Sequence, residues 1–164
     1  MKHLFTSFAR DERGAAGAEM ALVLPLMLIV MFTTFEAGNY FFTEHKIVKA
    51  VRQGARYAGR LPFASYACPA TVEAAAINQI RTVTRTGSLN GTTPLISGWE
   101  NADITVTMAC NSATTTGIFE GNAGGAPVVT VSATADYGSL FDFLEEGEDG
   151  PIVRASAEAV VNGI

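Results

Sequence analysis

The feature that most constrains this chain is a stretch of 21 residues near its amino end, 15–35, in which Glu19 is the only ionisable side chain. At about 1.5 Å per residue, a helix over these positions is roughly 31 Å long, close to the hydrocarbon thickness of a bilayer. Large apolar side chains between Leu22 and Phe32 fall on every face of such a helix. A helix that is apolar all round belongs in a membrane or a large core, and 164 residues are too few for such a core. The stretch therefore predicts a membrane anchor.

A cleaved secretory signal peptide is the alternative interpretation of an apolar stretch so near the amino end. It requires a small-x-small site directly after the stretch. Residues 35–39 read FEAGN, and neither Ala37 nor Gly38 has a small residue two positions before it. We therefore expect the anchor to remain in the mature protein.

Glu19 needs its own explanation, because a carboxylate near the bilayer centre costs on the order of 2.5 to 3.5 kcal/mol, and less toward the interface. One interpretation places Glu19 at the interface, where its side chain reaches water. The other interpretation rests on spacing, since Glu19 is the fifth residue after Gly14. A cut between Gly14 and Ala15 would leave a new amine at position one and a carboxylate at position five.

The residues around this spacing carry a family resemblance. The segment RGAAGAEMAL over residues 13–22, followed by Pro25, resembles the start of TadE-like pseudopilins of the tight-adherence (Tad) pilus, and VRQGARYA over residues 51–58 resembles the same family. The resemblance implies that a prepilin peptidase cuts between Gly14 and Ala15 on the cytoplasmic side. It also implies that Glu19 pairs with the free α-amine of a neighbouring subunit, so that two costly buried charges satisfy each other.

The departures from the pattern indicate which kind of pilus component to expect. Met20 follows Glu19, whereas the major fimbrial subunits of the family have Tyr there and are far shorter. A minor component is therefore favoured over the main filament subunit, and a TadF-like assignment stays open beside the TadE-like one. The partners implied are the inner membrane, the prepilin peptidase, other pilins or pseudopilins and the pilus platform proteins.

The resemblance implies a single-pass protein of the bacterial inner membrane, with a cytoplasmic N-terminus and a periplasmic C-terminal domain. The positive-inside count does not give this orientation by itself, since three Lys or Arg precede the apolar stretch and five follow within 25 residues. The leader motif decides it, because a peptidase site would be useless on the other side. The expected organisation is a leader at 1–14, a transmembrane helix at 15–35, an amphipathic stalk helix at 36–60 and a periplasmic α+β domain at 61–164.

The stalk helix is expected to have two faces. Ile47, Val51, Ala55 and Ala58 recur at helical spacing and form an apolar stripe. A second set, called the basic stripe below, consists of Lys49, Arg52, Arg56 and Arg60. The basic stripe is consistent with a solvated face or contacts to lipid headgroups, and also with pairing to partner pseudopilins.

The C-terminal part predicts a second helix and three strands. After a linker at 61–69, Thr71 is the expected N-cap, and Gly87 the expected end of the helix. The apolar face of that helix is Val72, Ala76, Ile80 and Val83. Three segments then follow in which every second residue is apolar, as in a β-strand; they start from Ile104, Val129 and Val153. The predicted fold is α+β: a long pilin-like transmembrane and stalk helix packed on a small domain with a second helix and a three-stranded or slightly larger antiparallel sheet.

The sequence has two cysteines, Cys68 and Cys110. One pairing exists, which would close a loop of about 43 residues and stabilise the fold by up to roughly 4 kcal/mol in an oxidising compartment. Two buried free thiols are the alternative. Without a Cys-x-x-Cys motif, the sequence favours neither a redox nor a zinc site.

The sequence predicts no enzyme, no cofactor and no metal site. His45 would be the single histidine of the mature chain, and no glycine motif has the strand–loop–helix context that cradles phosphate. The acidic run at 142–149 fits a solvated turn better than any calcium loop. A net charge of -5 argues against nucleic acid as a partner. The alternative to the pilus function is an uncleaved, signal-anchored inner-membrane protein whose periplasmic domain scaffolds a complex unrelated to pili.

Overall fold

A computed structural model describes residues 15–122, 124–141 and 150–163. The predicted leader, with Gly14, and the acidic run at 142–149 lie outside the described residues. The described elements are helix α1 (Ala15–Arg60), strands β1 (Tyr66–Ala67) and β2 (Thr71–Val72), helix α2 (Ala74–Thr86), and strands β3 (Ile104–Asn111), β4 (Ala126–Asp136) and β5 (Ile152–Val160). Two 3-10 turns, Phe63–Ser65 and Gly117–Phe119, lie between them. The predicted α+β class is confirmed.

Two compact units divide the chain at Asn39 and Tyr40. In the first unit, the described part of α1 exposes its large apolar side chains, from Met20 at 63% and Leu22 at 79% to Phe35 at 57%. Within the described residues, α1 is the one helix long and apolar enough to cross a membrane, with a mean hydropathy of 2.0 over its most apolar 18 residues and none of that window buried. A core helix of a soluble protein would be covered, so this exposure indicates a membrane anchor.

In the second unit, residues 40–60 of α1 have the two faces expected from their spacing. The predicted apolar stripe is confirmed, because Ile47, Val51, Ala55 and Ala58 are all at most 2% exposed. All four residues of the basic stripe are exposed. Helical periodicity alone therefore located the side of α1 that enters the core.

The segment predicted as a linker differs from the prediction. Residues 61–69 contain a 3-10 turn and β1, which pairs antiparallel with β2 through Tyr66↔Val72 and Ala67↔Thr71. Thr71 is therefore a strand residue and not the N-cap, and α2 begins at Ala74 after Glu73. The predicted end of α2 is confirmed, because Gly87 is its left-handed C-cap with φ 76° and its N–H donates to the Val83 carbonyl.

Strands β3, β4 and β5 form one antiparallel sheet in that order. The register places Ile104 opposite Ala133 and Val129 opposite Ala159. Side chains alternate between a core face and an outer face, as period-two spacing requires. The predicted core-facing residues are confirmed as buried or half-buried: Ile104, Val106, Met108 and Cys110 in β3; Val129, Val131, Ala133 and Ala135 in β4; Val153, Ala155, Ala157 and Ala159 in β5.

The core of this unit combines α1, α2, the sheet and the loop at 87–103. Ile80 of α2 is fully buried, and Trp99 of the loop is only 3% exposed. The Trp99 indole N–H donates to the Thr134 carbonyl at 2.8 Å, which satisfies its polar atom within the apolar surroundings. This loop is therefore part of the core.

Candidate functional site

The amino end of α1 holds the residues that the sequence singles out for processing and assembly. Ala15 is the first residue of the helix, so the predicted cut falls at its beginning. Glu19 is exposed one turn later. Gly17 beside it borders open space, because a Cβ added there would meet nothing within 4 Å. A carboxylate in this position is accessible to a partner group, which is what pairing between subunits requires. The cut itself stays a prediction, since Gly14 is outside the described residues.

A basic and aromatic surface follows along α1. The four cations of the basic stripe project from consecutive turns on one side of the helix. Phe41 and Phe42, 57% and 59% exposed, precede them. The Lys46 Nζ lies 4.4 Å from the centre of the Phe42 ring, a cation–π contact that holds this charge beside the stripe. The surface can attract an anionic partner along several turns.

The contact between α1 and α2 depends on a glycine that sequence reasoning did not identify. A Cβ at Gly54 would overlap the side chain of Thr84, which is completely buried. On either side of it, the Gln53 side chain donates to the Gly87 carbonyl at 2.8 Å, and the Tyr57 hydroxyl donates to Gln79 Oε1 at 2.9 Å. The signal in the sequence was small: a Gly inside a strongly helical pattern.

The end of α1 is joined to the end of β5 in a similar way. The Gly59 carbonyl accepts a hydrogen bond from the Asn162 N–H at 2.7 Å. A Cβ at Gly59 would lie 2.9 Å from the Val160 carbonyl oxygen. The close approach of these two backbones therefore requires glycine at position 59. This close approach and the Gly54 contact together determine which side of α1 faces solvent.

Cys68 and Cys110 form a disulfide in the structure, with Cα atoms 5.9 Å apart and a sequence separation of 42. The bond joins the segment between β1 and β2 to the end of β3. A Cβ at Gly124 would contact Cys68, and one at Gly125 would overlap the Asn111 carbonyl; both glycines have positive φ. These glycines let the segment before β4 cross beside the disulfide.

Tyr66 is a buried ionisable residue that links two elements. Its buried hydroxyl donates to the Ala58 carbonyl at 2.6 Å. Burial, with a smaller effect from Tyr57, raises the pKa of Tyr66 to about 12. The phenol is therefore neutral at physiological pH and ties β1 to α1. This is a structural hydrogen bond, not an acid or a base poised for proton transfer.

The described residues bring together no group of three or more His, Cys, Asp or Glu side chains that could hold a metal ion. His45 is exposed on α1. The acidic run considered for calcium is not among the described residues, and the expectations about metals, cofactors and enzymatic activity remain predictions.

Part of the chain matches a known family. Residues 14–56 match the family described as TadE-like protein. This confirms the resemblance inferred from the residues around Gly14 and Glu19, over the segment that includes the apolar helix and most of the basic stripe. The family is associated with Tad pili. No curated protein and no solved structure matches the chain.

Proposed function

We propose that this chain, TadE-like over residues 14–56, is a minor pilin or pseudopilin that supports assembly of a Tad (Flp-type) pilus used in adhesion. The position of the family match carries the proposal. The match begins at Gly14, the residue expected to precede the cut, and it contains Glu19. It ends at Arg56, within the basic stripe, so that the shared pattern covers the helix that would make contacts between subunits.

The proposed sequence of events starts in the cytoplasm. A prepilin peptidase hydrolyses the bond between Gly14 and Ala15 and leaves a free amine on Ala15. Helix α1 keeps the chain in the inner membrane as a single-pass protein, with residues 61–164 in the periplasm. Periplasmic enzymes and oxidants allow the Cys68–Cys110 disulfide, which would be rare in a reducing compartment.

Glu19 has a defined role in this scheme. Its carboxylate pairs with the α-amine of a neighbouring subunit, so that each charge removes the desolvation cost of the other inside the apolar bundle. The exposure of Glu19 and the open space at Gly17 support such a contact. The scheme gives the chain no catalytic activity and no cofactor, because its contribution is to bind neighbours.

N-terminal sequencing of the membrane-bound protein tests the proposal. In cells with an active prepilin peptidase, we expect the mature chain to begin at Ala15, and Gly14→Leu to leave the precursor uncut, because the larger side chain blocks the residue before the scissile bond. Gly38→Leu is the matched control, since a side chain at Gly38 meets nothing within 4 Å. A wild-type chain that keeps Met1 would contradict the pseudopilin proposal and favour the uncleaved scaffold protein.

A further inference from the structure

We infer that the basic stripe of α1 binds the acidic face of a different subunit, and that it does not pair with the same stripe of a second copy. The inference rests on the proposed function, because it assumes that α1 lies beside other pilus subunits. It goes further by assigning the contact surface and the chemistry of the partner. The surface comprises Lys49, Arg52, Arg56 and Arg60, with Phe41, Phe42 and Lys46 at its amino-terminal end.

The charge on this surface has a single sign. Between residues 40 and 60, the only acidic residue of α1 is Glu44, which is half-buried and falls outside the stripe at 100° per residue. The chain as a whole has a net charge of -5, so these cations are concentrated on one helix face of an otherwise acidic molecule. A segregated charge of this kind attracts a partner of opposite sign.

The spacing within the stripe destabilises the isolated helix. Arg52, Arg56 and Arg60 follow one another at intervals of four residues, and Lys49 lies three residues before Arg52. Like charges at these intervals are neighbours on a helix surface and repel each other. An acidic face lying along the same turns would offset these repulsions with attractions between opposite charges.

A second copy that meets this stripe with its own stripe is a poor occupant. Two identical stripes placed side by side would oppose cations with cations, and the charge complementarity needed for specific pairing would be absent. The stripe therefore works against packing of this chain on itself along this face. That is the behaviour expected of a subunit present in few copies among different neighbours.

A lipid surface fits less well than a protein. A helix lying in the membrane interface inserts an exposed apolar face beside its cations. Here the apolar face of residues 47–58 is buried in the domain, and among the described residues 40–60 of α1 the exposed large apolar side chains are Phe41 and Phe42. The stripe extends from Lys49 to Arg60, about 17 Å along the helix, and presents cations without an apolar surface along that length.

Site-specific photocrosslinking of the full chain tests the inference. We would place p-benzoylphenylalanine at Phe42, which is exposed and near in shape to the natural side chain, in cells that make the complete pilus machinery. We expect a crosslink to another pilus subunit, at a peptide with carboxylates three or four residues apart. Arg56→Glu should lower the yield about tenfold, since one attraction becomes a repulsion, and reversing the facing carboxylate to Lys should restore it.

Arg154→Glu is the matched control, because Arg154 is exposed on β5, outside the stripe, and undergoes the same change of charge. Thermal unfolding in detergent supplies a second readout. Arg56→Glu should unfold at the same or a higher temperature than wild type, since it interrupts the row of like charges. If Arg56→Glu weakens crosslinking while stability is unchanged or greater, Arg56 contributes to binding and not to folding.

A crosslink to lipid, to nucleic acid or to a second copy of this chain would overturn the inference, as would no crosslink, or equal loss of crosslinking in the Arg56→Glu and Arg154→Glu proteins. The state of the amino terminus distinguishes this failure from failure of the proposed function. If the chain begins at Ala15 and pili require it while the stripe fails the test, only the contact surface is wrong. If Met1 is intact, the pilus function is wrong.

Discussion

Glu19 combines two properties that normally exclude each other: an ionisable side chain and a place in an apolar helix. Every large apolar residue described between Met20 and Phe35 is exposed, so the described part of the chain provides no pocket for the carboxylate. The free-energy cost of its charge then depends on what surrounds the helix. In a membrane the carboxylate either reaches water at the interface or pairs with a cation, and experiments can distinguish these two outcomes.

Substitution of Glu19 distinguishes exposure at the interface from pairing with a cation. We expect Glu19→Ala to be inserted and processed normally but to abolish piliation, because the α-amine of the neighbouring subunit loses its counter-charge inside the bundle. Glu19→Gln should fail as well, since an amide keeps the size of the side chain but not its charge. Electron microscopy of the cells and N-terminal sequencing measure the two steps.

Glu120→Ala serves as the control, because Glu120 is an exposed carboxylate outside α1. Normal piliation by the Glu19→Ala cells would remove the pairing role and leave Glu19 as a residue that merely reaches water at the interface. Loss of processing in the same variant would assign Glu19 to peptidase recognition instead.

At the scale of the elements, α1 can lie close against α2 because Gly54 has no side chain. Gly54 packs directly on Thr84, whose hydroxyl donates to the Ile80 carbonyl at 2.8 Å within α2. The buried hydroxyl is therefore satisfied locally and cannot move aside without losing its acceptor. A helix interior normally disfavours glycine by about 1 kcal/mol relative to alanine. The close helix contact explains why glycine is suited to this position.

Gly54→Ala should therefore destabilise the protein by about 1 to 3 kcal/mol, despite the better helix propensity of alanine, because the added methyl overpacks the contact with Thr84. Thermal unfolding in detergent, followed by circular dichroism, measures the effect. The same change at Gly38, where a Cβ meets nothing within 4 Å, should be neutral or slightly stabilising. The double variant Gly54→Ala with Thr84→Ala should recover part of the loss. Equal behaviour of Gly54→Ala and Gly38→Ala would contradict the packing argument.

At the scale of the whole molecule, the disulfide links parts of the chain that the hydrogen bonds of the sheet do not. Cys68 precedes β2 and the second helix, whereas Cys110 belongs to β3. The three-stranded sheet is built from β3, β4 and β5 alone, and β1 and β2 pair only with each other. The covalent bond thus ties the small two-stranded sheet to the large one and restricts the unfolded chain.

Removal of this bond should lower the free energy of unfolding by about 4 kcal/mol, the loop-closure value for roughly 43 residues. Denaturant unfolding of the Cys68→Ser, Cys110→Ser double variant against wild type measures it, and wild type treated with reductant should approach the variant. Non-reducing mass analysis of protein isolated from cells is the accompanying check. Two free thiols in that protein, or equal stability of variant and wild type, would contradict the prediction.

Much of this architecture follows from the sequence, because the patterns that carry it are local. Residues three and four apart share a helix face, and residues two apart share a strand face. The apolar helix was predicted from the length and lack of charge of residues 15–35, and the end of α2 from the glycine at position 87. The buried positions of α1 around Ile47 and the core faces of β3, β4 and β5 were predicted from spacing. The spacing from Gly14 to Glu19 is equally local, and it led to the family that the comparison confirms.

Tertiary structure alone decided the features that depend on contacts between distant segments. The stretch at 61–69 is a strand and a turn, not a linker, because Tyr66 pairs with Val72 and donates its hydroxyl hydrogen to the Ala58 carbonyl. That pairing keeps Thr71 in a strand and delays the start of α2 to Ala74. The glycines at 54, 59, 124 and 125 are required by close approaches that no window of neighbouring residues contains. Periodicity specifies which face of each element is apolar, whereas the distances between elements are set only when those faces pack.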